Sequence, residues 1–451
     1  MKTIGKYIVR ALLGRGAMGK VFKVEHPTIG KVAALKLLDP DPLLVSLMGF
    51  DKIRGMFIAE APTLAGLRHQ NVVDIIDFDE SNGRPFYLMA YHVNNLGVLI
   101  GESPRPDEPS RQISIDKAIH YTRHTLQGLS CLHYAGIIHR DIKPFNLLIT
   151  DLDMVKICDF GLSKLHGEKF AGPATLKVGS PWYAPPEQES DPDRVDATAD
   201  IYATGVTFYR MLTGTLPADD YHPVATYNTD LDQSWDGFIC RAIAHNANDR
   251  FTSANEMLHA LGELAQSWQN KKKDFCRAPV ITHGRAQRKT ESGTIQLRSH
   301  CIKVDPRSAR KLLTVDRLWR PLVYWKNDFR VNPEGTIIDA ASGLIWQQTG
   351  SAFPMDWHHA RTYVDQINAE GFAGSSNWRL PTITELMTLL TVLPTGNEHC
   401  IEPIFDQDQK WIWSCDRRSF TAAWYVSSDL GFVAWQDFSA YFYVRAVRNI
   451  P

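Results

Sequence analysis

The stretch His139-Arg140-Asp141-Ile142-Lys143-Pro144-Phe145-Asn146 constrains this chain more than any other. An amphipathic run ending in Leu132-His133 precedes it, and a short apolar strand, Leu147-Leu148-Ile149, follows. The octet carries a carboxylate, an amine and an amide at fixed spacing. Moving a phosphoryl group to a hydroxyl needs such a set: Asp141 to orient and deprotonate the acceptor, Lys143 to steady the transferring group, Asn146 to hold a magnesium ion. That chemistry requires a second metal carboxylate on a turn after the next strand, and Asp159-Phe160-Gly161 supplies it.

Upstream, residues 7–13 read as a strand broken by Gly14-Arg15-Gly16-Ala17-Met18-Gly19, with a second strand at residues 21–24. Glycines there let backbone amides close over a triphosphate without a Cβ in the way. Alone, such a loop is equally a plain hairpin turn. Its position before Val32-Ala33-Ala34-Leu35-Lys36 tips the balance. Lys36 is expected to contact the α- and β-phosphates and needs a carboxylate partner. Glu60 is the candidate, on a helical run whose Phe57, Ala61, Leu64 and Ala65 share one face. The plainer alternative for Glu60 is a solvated helix glutamate. Two further strands fall at residues 71–78 and 86–90, and a long amphipathic helix at about 115–134 leads into the octet.

On these motifs, residues 7 to about 265 resemble a eukaryotic-type (Hanks-type) serine/threonine protein kinase. The family pattern is matched at Gly14, Gly16, Gly19, Lys36, Glu60, His139, Arg140, Asp141, Lys143, Asn146, Asp159, Phe160 and Gly161. The resemblance implies an α+β class and a bilobal protein kinase fold, with a β-rich N-lobe and an α-helical C-lobe. It implies ATP and Mg2+ as cofactors and proteins as substrates, with Lys143 favouring Ser/Thr acceptors. Asp141, Lys143, Lys36 and Glu60 would be catalytic. Gly14, Gly16, Gly19, Val21, Ala34, Lys36, Met89, Tyr91 and Asn146 would bind nucleotide, and Asn146 and Asp159 would hold metal. Gly179-Ser180-Pro181-Trp182-Tyr183-Ala184-Pro185-Pro186-Glu187 resembles the substrate-docking segment, with Pro185 where the family has Ala. Arg250 is the expected partner of Glu187, and Asp200 the expected brace of the catalytic loop. Arg140 suggests a receptor for a phosphorylated activation loop, with Thr175 the candidate acceptor. The alternative of an inactive binding module would require a lost lysine, base or metal ligand, and none is missing.

At 451 residues the chain suits two or three domains. A net charge of −1 argues against nucleic acid or an anionic membrane as partner. The 7 cysteines lack paired spacing and read as reduced, cytoplasmic thiols. No apolar run approaches the roughly 20 residues needed to span a bilayer, and the amino terminus lacks a signal-peptide core. Residues 266–329 are rich in Lys and Arg and read as a basic linker between a kinase domain at 1–265 and a second domain at 330–451. The apolar stretch 312–325 can pack, which would end the true linker near Arg310.

The last 120 or so residues, by the domain-size rule, form a unit of their own dense in tryptophan. Gly-Leu-Ile-Trp-Gln at 343–347, Trp-Arg-Leu-Pro-Thr at 378–382 and the closing Val-Arg-Ala-Val-Arg resemble a bacterial C-type-lectin-like α+β domain. Asp356 is expected to cap a helix, and Thr382 with Glu385 to form a capping box. Related domains serve as variable proteins of diversity-generating retroelements. The resemblance implies an exposed ligand-binding face drawing on Trp413, Trp424, Tyr425, Trp435, Asp437, Tyr441 and Tyr443, for a ligand the sequence does not disclose. The plainer alternative is that these aromatics are core. Glu402-Pro403-Ile404 lacks the amide of a calcium-dependent sugar site. An oxidase of the formylglycine-generating kind would need a reactive cysteine pair, for which Cys400 and Cys415 are the candidates, without a supporting pattern.

Overall fold

The computed structural model describes residues 2–451 except 17, 104, 106–107, 161–163, 166–181, 218–220, 276–289, 292–296 and 396–398. Two compact units emerge, Met1–Ala278 and Pro279–Pro451. Among the described residues no helix is long and apolar enough to cross a membrane.

The first unit opens with strands β1 (Thr3–Ile4), β2 (Tyr7–Arg15), β3 (Gly19–Glu25) and β4 (Val32–Leu38). Helices α1 (Pro42–Met48) and α2 (Phe50–Ala65) follow, then β5 (Ile75–Ser81) and β6 (Arg84–Ala90). The strands form one antiparallel sheet in the order β1-β2-β3-β4-β6-β5. Strand alternation sends Phe22, Val24, Ala33, Leu35, Phe86 and Leu88 into one core with Ile4 and Tyr7. It leaves Ala34 and Lys36 on the opposite face, with Lys36 in register with Val21 and Tyr87. The Asp41 side chain caps α1. Helix α2 buries Ile53, Phe57, Ala61 and Leu64 at helical spacing. Ala65, expected on that face, is exposed where the helix ends.

Next come β7 (Asn94–Asn95), α3 (Leu96–Ile100) and α4 (Ile115–Tyr134), the last capped by Ser114. Short strands β8 (Ile137–Ile138), β9 (Leu147–Ile149) and β10 (Val155–Ile157) bracket the octet, with β11 (Lys164–Leu165) pairing back to β8. The unit closes with α5 (Pro186–Ser190), α6 (Thr198–Thr213), α7 (Gln233–Ala242) and α8 (Ala254–Phe275). Helix α6 is buried nearly all round and packs beside α4. Helix α8 runs past the expected boundary at 265, because Trp268 is buried and its indole donates to Asp116 at 2.8 Å.

The second unit begins earlier than the expected 330. Strand β12 (Thr290–Glu291) pairs in parallel with β13 (Tyr324–Trp325), and α9 (Pro306–Leu312) lies between them in sequence. Val304, Ala309, Leu313, Val315 and Tyr324 join one core with Ile337, Trp346, Leu386 and Trp424. Arg298 forms a paired ion bridge to the fully buried Asp416, which also accepts from the Ile302 and Ile383 amides at 2.8 Å each. The stretch from 297 to 329 is therefore part of the unit and not a linker, since its apolar residues and Arg298 have buried partners. Strands β14 (Phe329–Asn332), β15 (Thr336–Asp339) and β16 (Leu344–Gln347) form a meander. Helix α10 (Trp357–Ala369) is capped by Asp356, and α11 (Ile383–Thr388) carries the capping box of Thr382 and Glu385. Strands β17 (Leu390–Thr395) and β18 (His399–Ile401) pair, as do β19 (Trp411–Arg417), β20 (Ala422–Ser427) and β21 (Phe432–Asp437) in that order. The final strand, β22 (Val447–Asn449), returns to pair with β16.

Candidate active site

Lys36 stands at the centre of the first unit's charged cluster. It is 4% exposed, and its Nζ lies 3.0 Å from Asp159 Oδ1 and 3.5 Å from Glu60 Oε1. Strand β4 projects Lys36 and α2 projects Glu60 to the same point. Tyr87 on β6 secures Glu60 by donating its hydroxyl at 3.0 Å, and its ring stacks on Phe57 at 5.2 Å. Burial alone would push the Lys36 ammonium down; the negative charge of Glu60, with Tyr87 and Asp159, reverses this and holds it well above its ordinary value. The Lys36 ammonium in turn draws Asp159 from 3.8 to about 2, against the opposing effect of burial. Asp159 takes a left-handed backbone, φ 64°, which aspartate tolerates better than most residues.

The octet forms the opposite wall. Asp141 Oδ2 accepts from Lys143 Nζ at 2.7 Å and from Asn146 Nδ2 at 2.9 Å, and the same Asn146 amide reaches the Asp141 carbonyl at 2.8 Å. These bonds fix the rotamer of a carboxylate that is 8% exposed. The loop is braced from below by Asp200, fully buried on α6. Its carboxylate accepts from the His139 and Arg140 amides at 2.9 and 2.8 Å, and from His133 Nε2 at 2.8 Å. Burial would raise the Asp200 carboxyl; His133, His139 and the amides outweigh it and keep it low. This grip holds Arg140 at φ 67°, a left-handed conformation unusual for a long side chain. His139 links the two walls. The Asp141 amide donates to Nδ1 at 3.2 Å and Nε2 faces the Cys158 carbonyl at 3.0 Å. The ring also meets Phe160 edge-on at 5.1 Å.

The glycines divide by function. A Cβ at Gly19 would meet the Leu37 carbonyl oxygen at 2.2 Å, so the fold itself excludes any side chain there. At Gly14 a Cβ would meet nothing within 4 Å, and at Gly16 only the Gly19 carbonyl at 3.9 Å. Those two glycines answer no crowding among the described residues. Ala34 and Met89 are buried neighbours in register, Val21 is half-buried, and the Lys23 ammonium lies over the Tyr91 ring at 5.0 Å.

Glu187 and Arg250 form the expected pair, bidentate at 2.6 and 2.9 Å, with the Arg250 side chain fully buried. Arg140 is buried and its guanidinium donates to the Pro192 carbonyl at 2.6 Å. Thr175 and Gly161 lie outside the described residues. Sequence reasoning missed Tyr87, His133 and Gln188, whose amide donates to the Arg140 carbonyl at 2.8 Å. None of these positions belongs to a local motif, so no sequence signal marked them.

In the second unit the expected ligand face breaks up. Trp413, Trp424 and Tyr425 are fully buried, so they belong to the core and not to an exposed face. The Trp413 indole donates to the Met355 carbonyl at 3.0 Å and that of Trp424 to Val304 at 3.2 Å. The cause is that both faces of the sheet are covered here: Trp424 on β20 packs against Trp319 at 5.5 Å, while Tyr425 on β20 and Trp413 on β19 pack against Phe442 at 4.5 and 4.7 Å. Trp435, Asp437 and Tyr443 are half-buried, Trp435 against Trp319 and Trp424, and Tyr441 is 51% exposed.

Residues 335–448 match the Lcl C-terminal domain. The serine/threonine-protein kinase pkn3 of Myxococcus xanthus is 31% identical over 281 residues, covering 56% of this chain and 49% of that protein. PksC of Streptomyces coelicolor is 31% identical over 287 residues, covering 59% of this chain and 50% of that protein. The chain thus spans about half the length of these curated relatives. The crystal structure of the Mycobacterium tuberculosis PknI kinase domain shows 26% identity and a TM-score of 0.44, covering 58% of this chain and 97% of that one. Residues 7–312 match the protein kinase domain, and the chain belongs to the protein kinase family.

Proposed function

We propose that this protein transfers the γ-phosphoryl group of ATP to Ser or Thr hydroxyls of proteins. The observation that carries the reading is the convergence of Lys36, Glu60 and Asp159 with the Asp141-Lys143-Asn146 triangle, from elements far apart in sequence. Asp141 would orient the acceptor hydroxyl and take its proton on a carboxylate already fixed by two donors. Lys143 would steady negative charge beside it, and Lys36, kept ionised by Glu60, would hold the nucleotide phosphates. Asp159 and Asn146 offer the hard oxygen donors that suit magnesium, and the low-lying Asp159 carboxyl keeps one of them charged at neutral pH. ATP would supply the phosphoryl group, and Mg2+ would neutralise its charge. The space at Gly14 and Gly16, open to a Cβ, suits a phosphate chain under the loop. Val21, Ala34, Met89 and Tyr91 would enclose the base.

The second unit would recognise a partner or ligand and direct the kinase, through the aromatic and acidic residues that remain accessible, Tyr441, Trp435, Asp437 and Tyr443. Phosphosite mapping by mass spectrometry after incubation with Mg-ATP, with and without residues 297–451, tests both halves. Modified Ser and Thr in both samples, with a changed set of targets on truncation, is the expected result. Tyrosine-only modification, or an unchanged target set, contradicts the corresponding half.

A further inference from the structure

Within the second unit, the segment before α9 lies alongside β19. Lys303 bridges Arg417 in parallel, the Arg417 amide donates to the Ile302 carbonyl at 3.0 Å, and the Val304 amide to the Arg417 carbonyl at 2.8 Å. Two residues back along both chains stand Cys301 and Cys415. Both are free thiols, and the Cys301 side chain lies near enough to add to the upward push that burial exerts on the Cys415 thiol. At the Lys303–Arg417 bridge the two segments sit at the usual strand spacing of about 4.8 Å, and both cysteines, two residues beyond it, line one cavity, which places them within the reach a disulfide requires. Cys400, the other cysteine considered from sequence, is buried against Gly431 and takes no part.

The pair opens onto a cavity of about 590 Å3, a volume typical of small-molecule sites. Lys303, Arg361 and Arg417 line it together with Trp357, against one acid among the described residues, Asp365. None of those three cations has an ion pair among the described residues; Arg361 lies over the Trp357 ring at 5.6 Å and Lys303 over Phe420 at 5.0 Å. An excess of positive charge around a concave entrance concentrates small anions there.

We propose that Cys301 and Cys415 are a dithiol that exchanges with small anionic disulfides admitted by this cavity, closing to an intramolecular disulfide. Cys301 is exposed and meets the oxidant first, since burial pushes the Cys415 thiol up and away from ionisation. The Cys301 thiolate attacks the incoming disulfide, forming a mixed disulfide and releasing one small thiol. Cys415 then gives up its proton, attacks Cys301 Sγ and releases the second small thiol. Two protein thiols are oxidised, one small disulfide is reduced to two thiols, and the two protons end on the released thiols.

The test incubates the full chain with oxidised glutathione, which is anionic, or with cystamine, which is cationic, and maps peptides without reduction. Exposed Cys240 in the same chain serves as internal reference, so that intrinsic reactivity of each probe cancels. The expected result is a linked Cys301–Cys415 peptide preceded by an adduct on Cys301. The ratio of Cys301 to Cys240 modification should be about tenfold higher for the anionic probe and fall with added salt. Cys415→Ser should stop at the Cys301 adduct, and Cys301→Ser, at an exposed position, should form no linked peptide while retaining the wild-type melting temperature. Absence of the linked peptide in the wild type, linkage through other cysteines, or a ratio indifferent to probe charge overturns the proposal.

Discussion

Removing the Lys36 ammonium leaves Glu60 and Asp159 without their shared counterion. Lys36→Met should therefore destabilise the first unit by about 1–3 kcal/mol, below the range for a fully enclosed pair because Asp159 keeps contact with solvent. Nucleotide affinity should fall with it; denaturant midpoints and equilibrium binding of ATP check the two effects. A pH dependence follows from Asp159, whose folded carboxyl lies near 2 against an ordinary 3.8. A depressed carboxyl contributes its full stability above about pH 4 and loses it as pH falls toward 2. The stability difference between wild type and Asp159→Asn should accordingly shrink over that window in denaturant titrations. The identities of Lys36, Asp141, Asn146 and Asp159 were legible because the chemistry demands those side chains at that spacing. Tyr87 and His133 were not, since each meets its carboxylate only after distant elements pack.

At the scale of elements, the β2–β3 hairpin separates two kinds of glycine. Gly19→Ala forces a Cβ against the Leu37 carbonyl and should cost about 1–3 kcal/mol in stability. Gly14→Ala meets open space and should leave stability nearly unchanged while weakening ATP binding. Thermal melting and nucleotide titration of both variants distinguish these outcomes. Three glycines in one loop look alike in a sequence, and only the register that pairs Gly19 with Leu38 and sets the Leu37 carbonyl against it tells them apart. The same holds for β20. Its Trp424 and Tyr425 suit a binding face or a core equally well by residue type, and the covering of one face by the segment holding Val304 and of the other by Phe442, 4.5 Å from the Tyr425 ring, decides for the core. Helix caps at Asp356 and Thr382 were readable outright, because a cap is a local arrangement.

For the whole molecule, the two units are each organised around their own core, and their limits were the least legible feature. Charge density suggested a linker through 329, whereas Val304, Ala309, Leu313, Val315 and Tyr324 contribute to the second core and Arg298 answers the buried Asp416. A basic composition marks the solvated side of such a stretch and conceals its buried side. A fragment of residues 297–451 should unfold cooperatively, whereas one of 330–451 should show no cooperative transition by circular dichroism, having lost those residues. Whether the first unit performs chemistry is the central question. Transfer of labelled γ-phosphate to a protein substrate, measured for wild type and Asp141→Asn at saturating Mg-ATP, answers it most directly. Wild-type incorporation with a kcat about 10²–10⁴-fold lower in the variant, at unchanged ATP affinity, is the predicted result; equal incorporation by both proteins, or none by either, would contradict it.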